Sequence, residues 1–153
     1  MRAVITAGMF PNLVSVEAGK REAKWHTVDD GKVKPHPSSV NAFVRAFPSR
    51  WLVYKHKVKS SDVFVRDSTC VSDYGLLLFG GALTHTGGAL AMCNGYATFA
   101  AGGDVAAVVS ALRAQIDALL RRKIETPSLA LGAVSDGLVQ VHVLLDRTLS
   151  PKP

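Results

Sequence analysis

The sequence predicts a mainly β fold, α+β overall, with about five short strands in the first seventy residues, then a short helix, a hairpin and a long amphipathic helix. Three patterns carry this expectation. Trp51 to Lys59 alternate with the two-residue period of a strand. Asp29-Asp30-Gly31 and Asn94-Gly95 are hairpin turn signals between β-compatible runs. Val105, Val108, Val109, Leu112, Ile116, Leu119 and Leu120 recur at the three- and four-residue spacing of one helix face.

The elements follow in order. Met1 to Ala7 is apolar and helix-compatible but opens without a capping residue, the expected look of a helix cut from a longer chain. Leu13, Val14 and Val16, then Lys24 to Val28, read as two strands joined in sequence to the Asp-Gly turn. Lys32 to Val40 continues as an extended segment, and Pro35 and Pro37, which cannot donate to a ladder, push it towards an edge or a loop rim and away from a central place. In the next strand Leu52, Tyr54, His56 and Val58 share one face, and Trp51, Val53, Lys55, Lys57 and Lys59 the other. One face is expected to pack while the other ends in three lysines. Ser60-Ser61 is a turn, and Val63, Phe64 and Val65 form a strand ending at Arg66.

Ser72 to Phe79 reads as a short helix capped by Ser72 and closed by Gly80-Gly81, and Ala89 to Phe99 as a hairpin. The long helix runs from Asp104 to Lys123, its last-turn cations complementing the helix dipole and Pro127 marking its stop. Leu129 to Val134 and Leu138 to Leu145 suggest one more hairpin. Three units are expected: 1–83, 84–127 and an unassigned, hairpin-like tail at 128–153.

The 153 residues suffice for one core-bearing domain, and 48% apolar against 20% charged residues is globular composition. The first 70 residues hold 12 Lys+Arg against 6 Asp+Glu, and the remainder 6 against 6, so the net charge of +6 lies wholly in the first part. That asymmetry fits a polyanion-binding surface, and also a merely solvated basic face. Cys70 and Cys93 lack the paired spacing of a zinc site, so neither a metal nor a disulfide framework is expected. No stretch approaches membrane-spanning length or a secretion signal, which predicts an intracellular protein without a membrane partner.

Catalytic patterns are missing from the string. There is no GxxxxGK[ST] cradle for a triphosphate, no Gly-x-Ser-x-Gly elbow and no His-Glu-x-x-His pair. The glycine pairs at 80–81, 87–88 and 102–103 suit turns and helix ends. What remains is binding. His36 stands beside Lys34 and the Ser38-Ser39 hydroxyls, and Lys55 and Lys57 lie on a strand. Lysines in such a row track phosphates, while Trp25, Tyr54 and Phe64 offer stacking surface if exposed and core if not.

Several ordered strings carry a resemblance. Ala3-Val4-Ile5-Thr6-Ala7-Gly8-Met9-Phe10-Pro11-Asn12, Asp30-Gly31-Lys32-Val33 and His36-Pro37-Ser38-Ser39-Val40-Asn41 are followed by Trp51-Leu52-Val53-Tyr54, Arg66-Asp67-Ser68-Thr69 and Leu76-Leu77-Leu78-Phe79-Gly80-Gly81. In this order they resemble the C-terminal oligonucleotide-binding (OB-fold) region of DEAH/RHA-type RNA helicases. The likeness extends more weakly to Pro127, and Tyr96 stands where the family more often has Trp.

The resemblance implies a five-stranded OB-fold barrel over 1–83 with its adjoining short helix. It also implies a module that binds single-stranded RNA beside the helicase core domains and, in some members, receives an activator protein. Lys34, His36, Ser38, Ser39, Lys55, Lys57 and Arg66 are the residues expected to bind nucleic acid. ATP and magnesium would belong to a parent helicase, no cofactor being expected in this chain, which has neither the P-loop nor the DEAH box. A protein-docking role for the long helix or the barrel edge stands as the alternative.

Overall fold

A computed structural model describes residues 1–130. Helix α1 (Arg2–Met9) leads into β1 (Leu13–Glu17), β2 (Lys24–Thr27), β3 (Gly31–Pro35), β4 (Trp51–Lys59) and β5 (Val63–Val71). These five strands close into a barrel of order β1-β2-β3-β5-β4, with β1 antiparallel to β4 across the seam and β3 parallel to β5. Helix α2 (Asp73–Phe79) follows, then a second sheet of β6 (Thr84–Thr86), β7 (Ala89–Met92) and β8 (Ala97–Ala100), and finally α3 (Gly103–Glu125).

Local chemistry accounts for the punctuation. Val28-Asp29-Asp30 form the turn between β2 and β3, and Gly31 opens β3 at φ +65°, a left-handed conformation that a side chain resists. Ser72 caps α2 by accepting the Gly75 amide at 3.1 Å. Gly81 has a packing reason: a Cβ there would stand 2.1 Å from the Phe10 ring, which lies against the core. Lys123 closes the C-terminal end of α3, donating to the carbonyls of Pro127 and Leu129.

Two apolar cores share β4. Val14, Val16, Trp25, Val33, Leu52, Tyr54 and Val65 fill the barrel, with Phe47 edge-on to Trp25 at 5.7 Å. Trp51, Val53, Leu13 and Val71 instead join Leu76, Leu90, Met92 and Phe99 in a second core outside the barrel wall. The first half of β4 is therefore buried on both faces, against the expectation that only one face packs. Arg113 ties α3 to α2 by donating to the carbonyls of Leu77 and Gly80, groups left unpaired at a helix end.

Several other expectations are corrected. The segment read as extended to Val40 is a strand only to Pro35, after which 37–43 is a run of turns. Far from being an edge, β3 is paired on both sides; Pro35 is tolerated as its last residue because the His36 amide, not its own, bonds the Val65 carbonyl at 2.9 Å. Strand β5 runs past Arg66 to Val71, held along its length by β4. The predicted hairpin around Asn94-Gly95 gains an additional strand, β6, through a Gly87-Gly88 turn in which both glycines have positive φ. Most of the hairpin expected at 129–145, and the tail after it, lie outside the described residues.

Candidate nucleic-acid interface

The two-residue alternation of β4 breaks at Lys55. Opposite it, Asp67 takes φ +53°, and the ladder pairs Tyr54 with Ser68 and then His56 with Arg66, skipping the residues between. Asn12 occupies the break: its carbonyl accepts the Tyr54 amide at 3.0 Å and its side chain reaches the Lys55 carbonyl at 3.3 Å. Beyond this point Lys57 is paired with Val65, whose side chain fills the barrel, and opposed residues of a ladder share a face. Lys57 thus lies on the same side as Tyr54, its ammonium 6.0 Å from the phenol ring centroid, contrary to the opposite faces that strict alternation assigns.

There Lys57 meets acids. It forms an ion pair with Asp30 and lies 3.5 Å from Asp29, both on the β2–β3 turn. The hydrogen bond from Lys57 holds the Asp30 carboxyl below its ordinary value of 3.8, against the opposing effect of burial. Burial works against the Lys57 ammonium, but Asp30, Tyr54 and Asp29 outweigh it and raise its affinity for the proton. A carboxylate with a depressed folded value stabilises the fold at pH above its unfolded value and loses that contribution as pH falls through the folded one. Asp30→Asn is therefore expected to lower the melting temperature near neutrality, with the difference from the parent chain vanishing in acid below pH 3.8. Thermal melts across that range check it; a difference that persists undiminished in acid contradicts the pairing.

A second cluster gathers on the outer wall of β3, β5 and β4. His36 follows β3 with its ring edge-on to Phe64, centroids 5.9 Å apart. Its Nδ1 accepts the Ser38 amide at 3.2 Å, which puts the ring proton on Nε2, and lies 2.7 Å from Ser38 Oγ. Arg66 reaches the same hydroxyl at 3.5 Å, and its ladder partner His56 shares its face and is exposed. The turn is clamped in place: Ser39 Oγ accepts the Asn41 amide at 3.2 Å, and the Asn41 side chain donates to the carbonyl and hydroxyl of Ser68 at 2.8 and 3.0 Å. Lys34, next to Phe64 on the ladder, pairs with Asp62 at 2.6 Å.

The structure thus brings Lys34, His36, Ser38, Ser39 and Arg66 together, leaves Lys55 exposed at the ladder break, and folds Lys57 onto the acidic turn. Among the described residues, Lys55 and Arg66 have no acidic partner, whereas Lys34 and Lys57 do. Trp25 and Tyr54 are core residues and offer no stacking surface; Phe64 is half-buried under His36. The site residue missed in the sequence is Asn41, whose role depends on Ser68 being brought to it; its place inside His-Pro-Ser-Ser-Val-Asn was the available signal.

A closed five-stranded barrel of this strand order defines an OB-fold class of module, here with a turn-rich cationic wall. The family comparisons agree: residues 1–83 match the oligonucleotide/oligosaccharide-binding (OB)-fold family, and residues 89–146 match the C-terminal domain in RNA helicases. The chain belongs to the OB-fold family in the form carried by DExH-box RNA helicases. It is 42% identical over 95% of its length to the DExH-box ATP-dependent RNA helicase DExH1 of Arabidopsis thaliana, and 37% identical over 96% to DExH3 of the same plant. To the ATP-dependent DNA/RNA helicase DHX36 of Mus musculus it is 35% identical over 83%. The chain spans only 15%, 12% and 13% of these three relatives. Among the described residues no helix is long and apolar enough to cross a membrane.

Proposed function

We propose that the chain is the accessory module with which a DExH-box helicase grips single-stranded RNA, the strand running over the outer wall of β3, β5 and β4. The observation that carries the reading is the clamped cluster of His36, Ser38 and Arg66, which sets hydrogen-bond donors and an acid-free cation on one exposed wall. Arg66 and Lys55 would meet phosphates, and Ser38, Ser39 and the His36 Nε2 proton would serve phosphate or sugar oxygens. Lys34 and Lys57 would contribute after exchanging Asp62 and Asp30 for phosphate, so their share is smaller. ATP and magnesium would act in the helicase domains and not on these residues.

Lys55→Glu combined with Arg66→Glu is expected to weaken binding of a short oligouridylate by about tenfold or more and to flatten the dependence of log K on log salt by about 1.4, at roughly 0.7 per lost phosphate contact. Titrations at several salt concentrations check this, and an unchanged affinity and slope would overturn it. A second reading, protein docking through α3, is favoured by the exposure of Val105, Val108, Leu120 and Ile124 along that helix. A chain that retains helicase core domains in a pull-down but binds no RNA would put that reading first.

A further inference from the structure

The turn-rich loop between β3 and β4 carries two apolar side chains that the fold does not use. Val40 is 91% exposed and Phe43 89% exposed, whereas the aromatics named from the sequence as stacking candidates are buried or half-buried. An exposed phenyl ring on a loose loop would call for no comment. This loop is not loose. On one side the Asn41 side chain is bonded twice to Ser68, and successive turns link Ser39 to His36, Ala42 to Ser39 and Val44 to Asn41. On the other side Phe47 inserts against Trp25 in the barrel. Phe43 thus lies between two anchors, two residues after Asn41 and four before Phe47, and close in sequence to the clamped His36–Ser38 turn.

The surroundings state the chemistry of the partner. From His36 to Arg50 the loop contains Arg45 and Arg50 and not one Asp or Glu, and the Asn41 anchor, Ser68, is two residues from Arg66 on β5. A presented aromatic ring within a cationic, acid-free segment suits an unpaired nucleobase whose phosphates neutralise the neighbouring cations. A backbone already held in its turns also has less freedom to lose on binding, so more of the stacking energy appears as affinity.

We infer that Phe43 is a base-stacking platform for single-stranded RNA, set beside the phosphate-gripping wall of β3 and β5. This rests on the proposed RNA-binding reading and adds to it a contact that senses bases and not charge. Phe43→Ala in the otherwise intact chain is expected to lower affinity for a short oligouridylate by roughly tenfold. Because no charge is removed, the salt dependence should stay that of the parent chain, unlike the Lys55→Glu/Arg66→Glu variant. An oligomer with abasic sugars supplies the complementary arm: the parent chain should bind it as weakly as Phe43→Ala binds the intact oligomer, and Phe43→Ala should show no further loss. Phe43→Trp should retain affinity, and its added emission, distinct from that of the buried Trp25 and Trp51, should be quenched on binding.

The outcomes separate. If the parent chain binds no oligonucleotide, both the RNA reading and the platform fail. If binding responds to Lys55→Glu/Arg66→Glu but is unchanged in Phe43→Ala, the wall stands and the platform is overturned. If Phe43→Ala leaves RNA binding intact and releases a helicase core domain instead, the ring is a protein contact and the inference is wrong.

Discussion

Trp51→Ala lowers the unfolding free energy by about 3–5 kcal/mol, the usual range for deleting a large buried aromatic. Trp51 is 1% exposed and lies on the outer side of the barrel wall, edge-on to Tyr96 at 5.7 Å and tilted against Phe99 at 6.2 Å. The guanidinium of Arg50 lies 4.7 Å from the centre of its ring. Its removal leaves a cavity between the barrel and the β6–β8 sheet that neither side can readily collapse into, since one wall is a closed barrel. Urea unfolding followed through Trp25, inside the barrel, and through the helical circular dichroism signal should show both transitions move to lower denaturant. A loss under about 1 kcal/mol would mean that the outer core contributes little to the barrel's stability.

Tyr96→Phe is expected to cost about 1–3 kcal/mol, through unpaired backbone groups and not through lost volume. The Tyr96 hydroxyl accepts the Ser15 amide at 3.0 Å, lies 3.0 Å from Ser15 Oγ and donates to the His26 carbonyl, so one oxygen joins the β7–β8 turn to both β1 and β2. Phenylalanine keeps the ring against Trp51 but abandons these groups. Denaturant midpoints of the two chains decide it, with amide exchange at Ser15 as the local readout: faster exchange in the variant is expected, and an unchanged midpoint together with unchanged exchange would sink the assignment. A tryptophan here, more frequent in the resembling family, could not reproduce the bridge because its indole nitrogen only donates.

How far these features were legible in the sequence depended on the range of the interactions behind them. The β2–β3 turn, the Ser72 cap and the long helix were legible because each is decided within a few residues: Gly31 by its φ, Ser72 by an amide three residues on, α3 by its apolar spacing. The run of turns after Pro35 was not, since Ser38, Ser39 and Asn41 owe their conformation partly to Arg66 and Ser68 on another strand. Even the stripe on α3 misled in degree: Ala106, Val109 and Ile116 are buried, while Val105, Val108 and Leu120 are exposed. Spacing identifies an apolar face but not the area of neighbour available to cover it.

The candidate site divides in the same way. Sequence alone placed the positive charge in the first seventy residues and singled out His36 with its serines, because composition and local motif require no partner. It could not show that Lys34 is paired with Asp62, 28 residues away, or Lys57 with Asp30, 27 residues away. Nor could it show that Trp25 and Tyr54 turn inward while Phe43 stands out. By itself the sequence determined most of the barrel strands, the β2–β3 turn, the long helix and the family. Only the closed barrel decided which cations remain free and which aromatic ring is presented, because both depend on residues that chain closure brings together and no local pattern encodes.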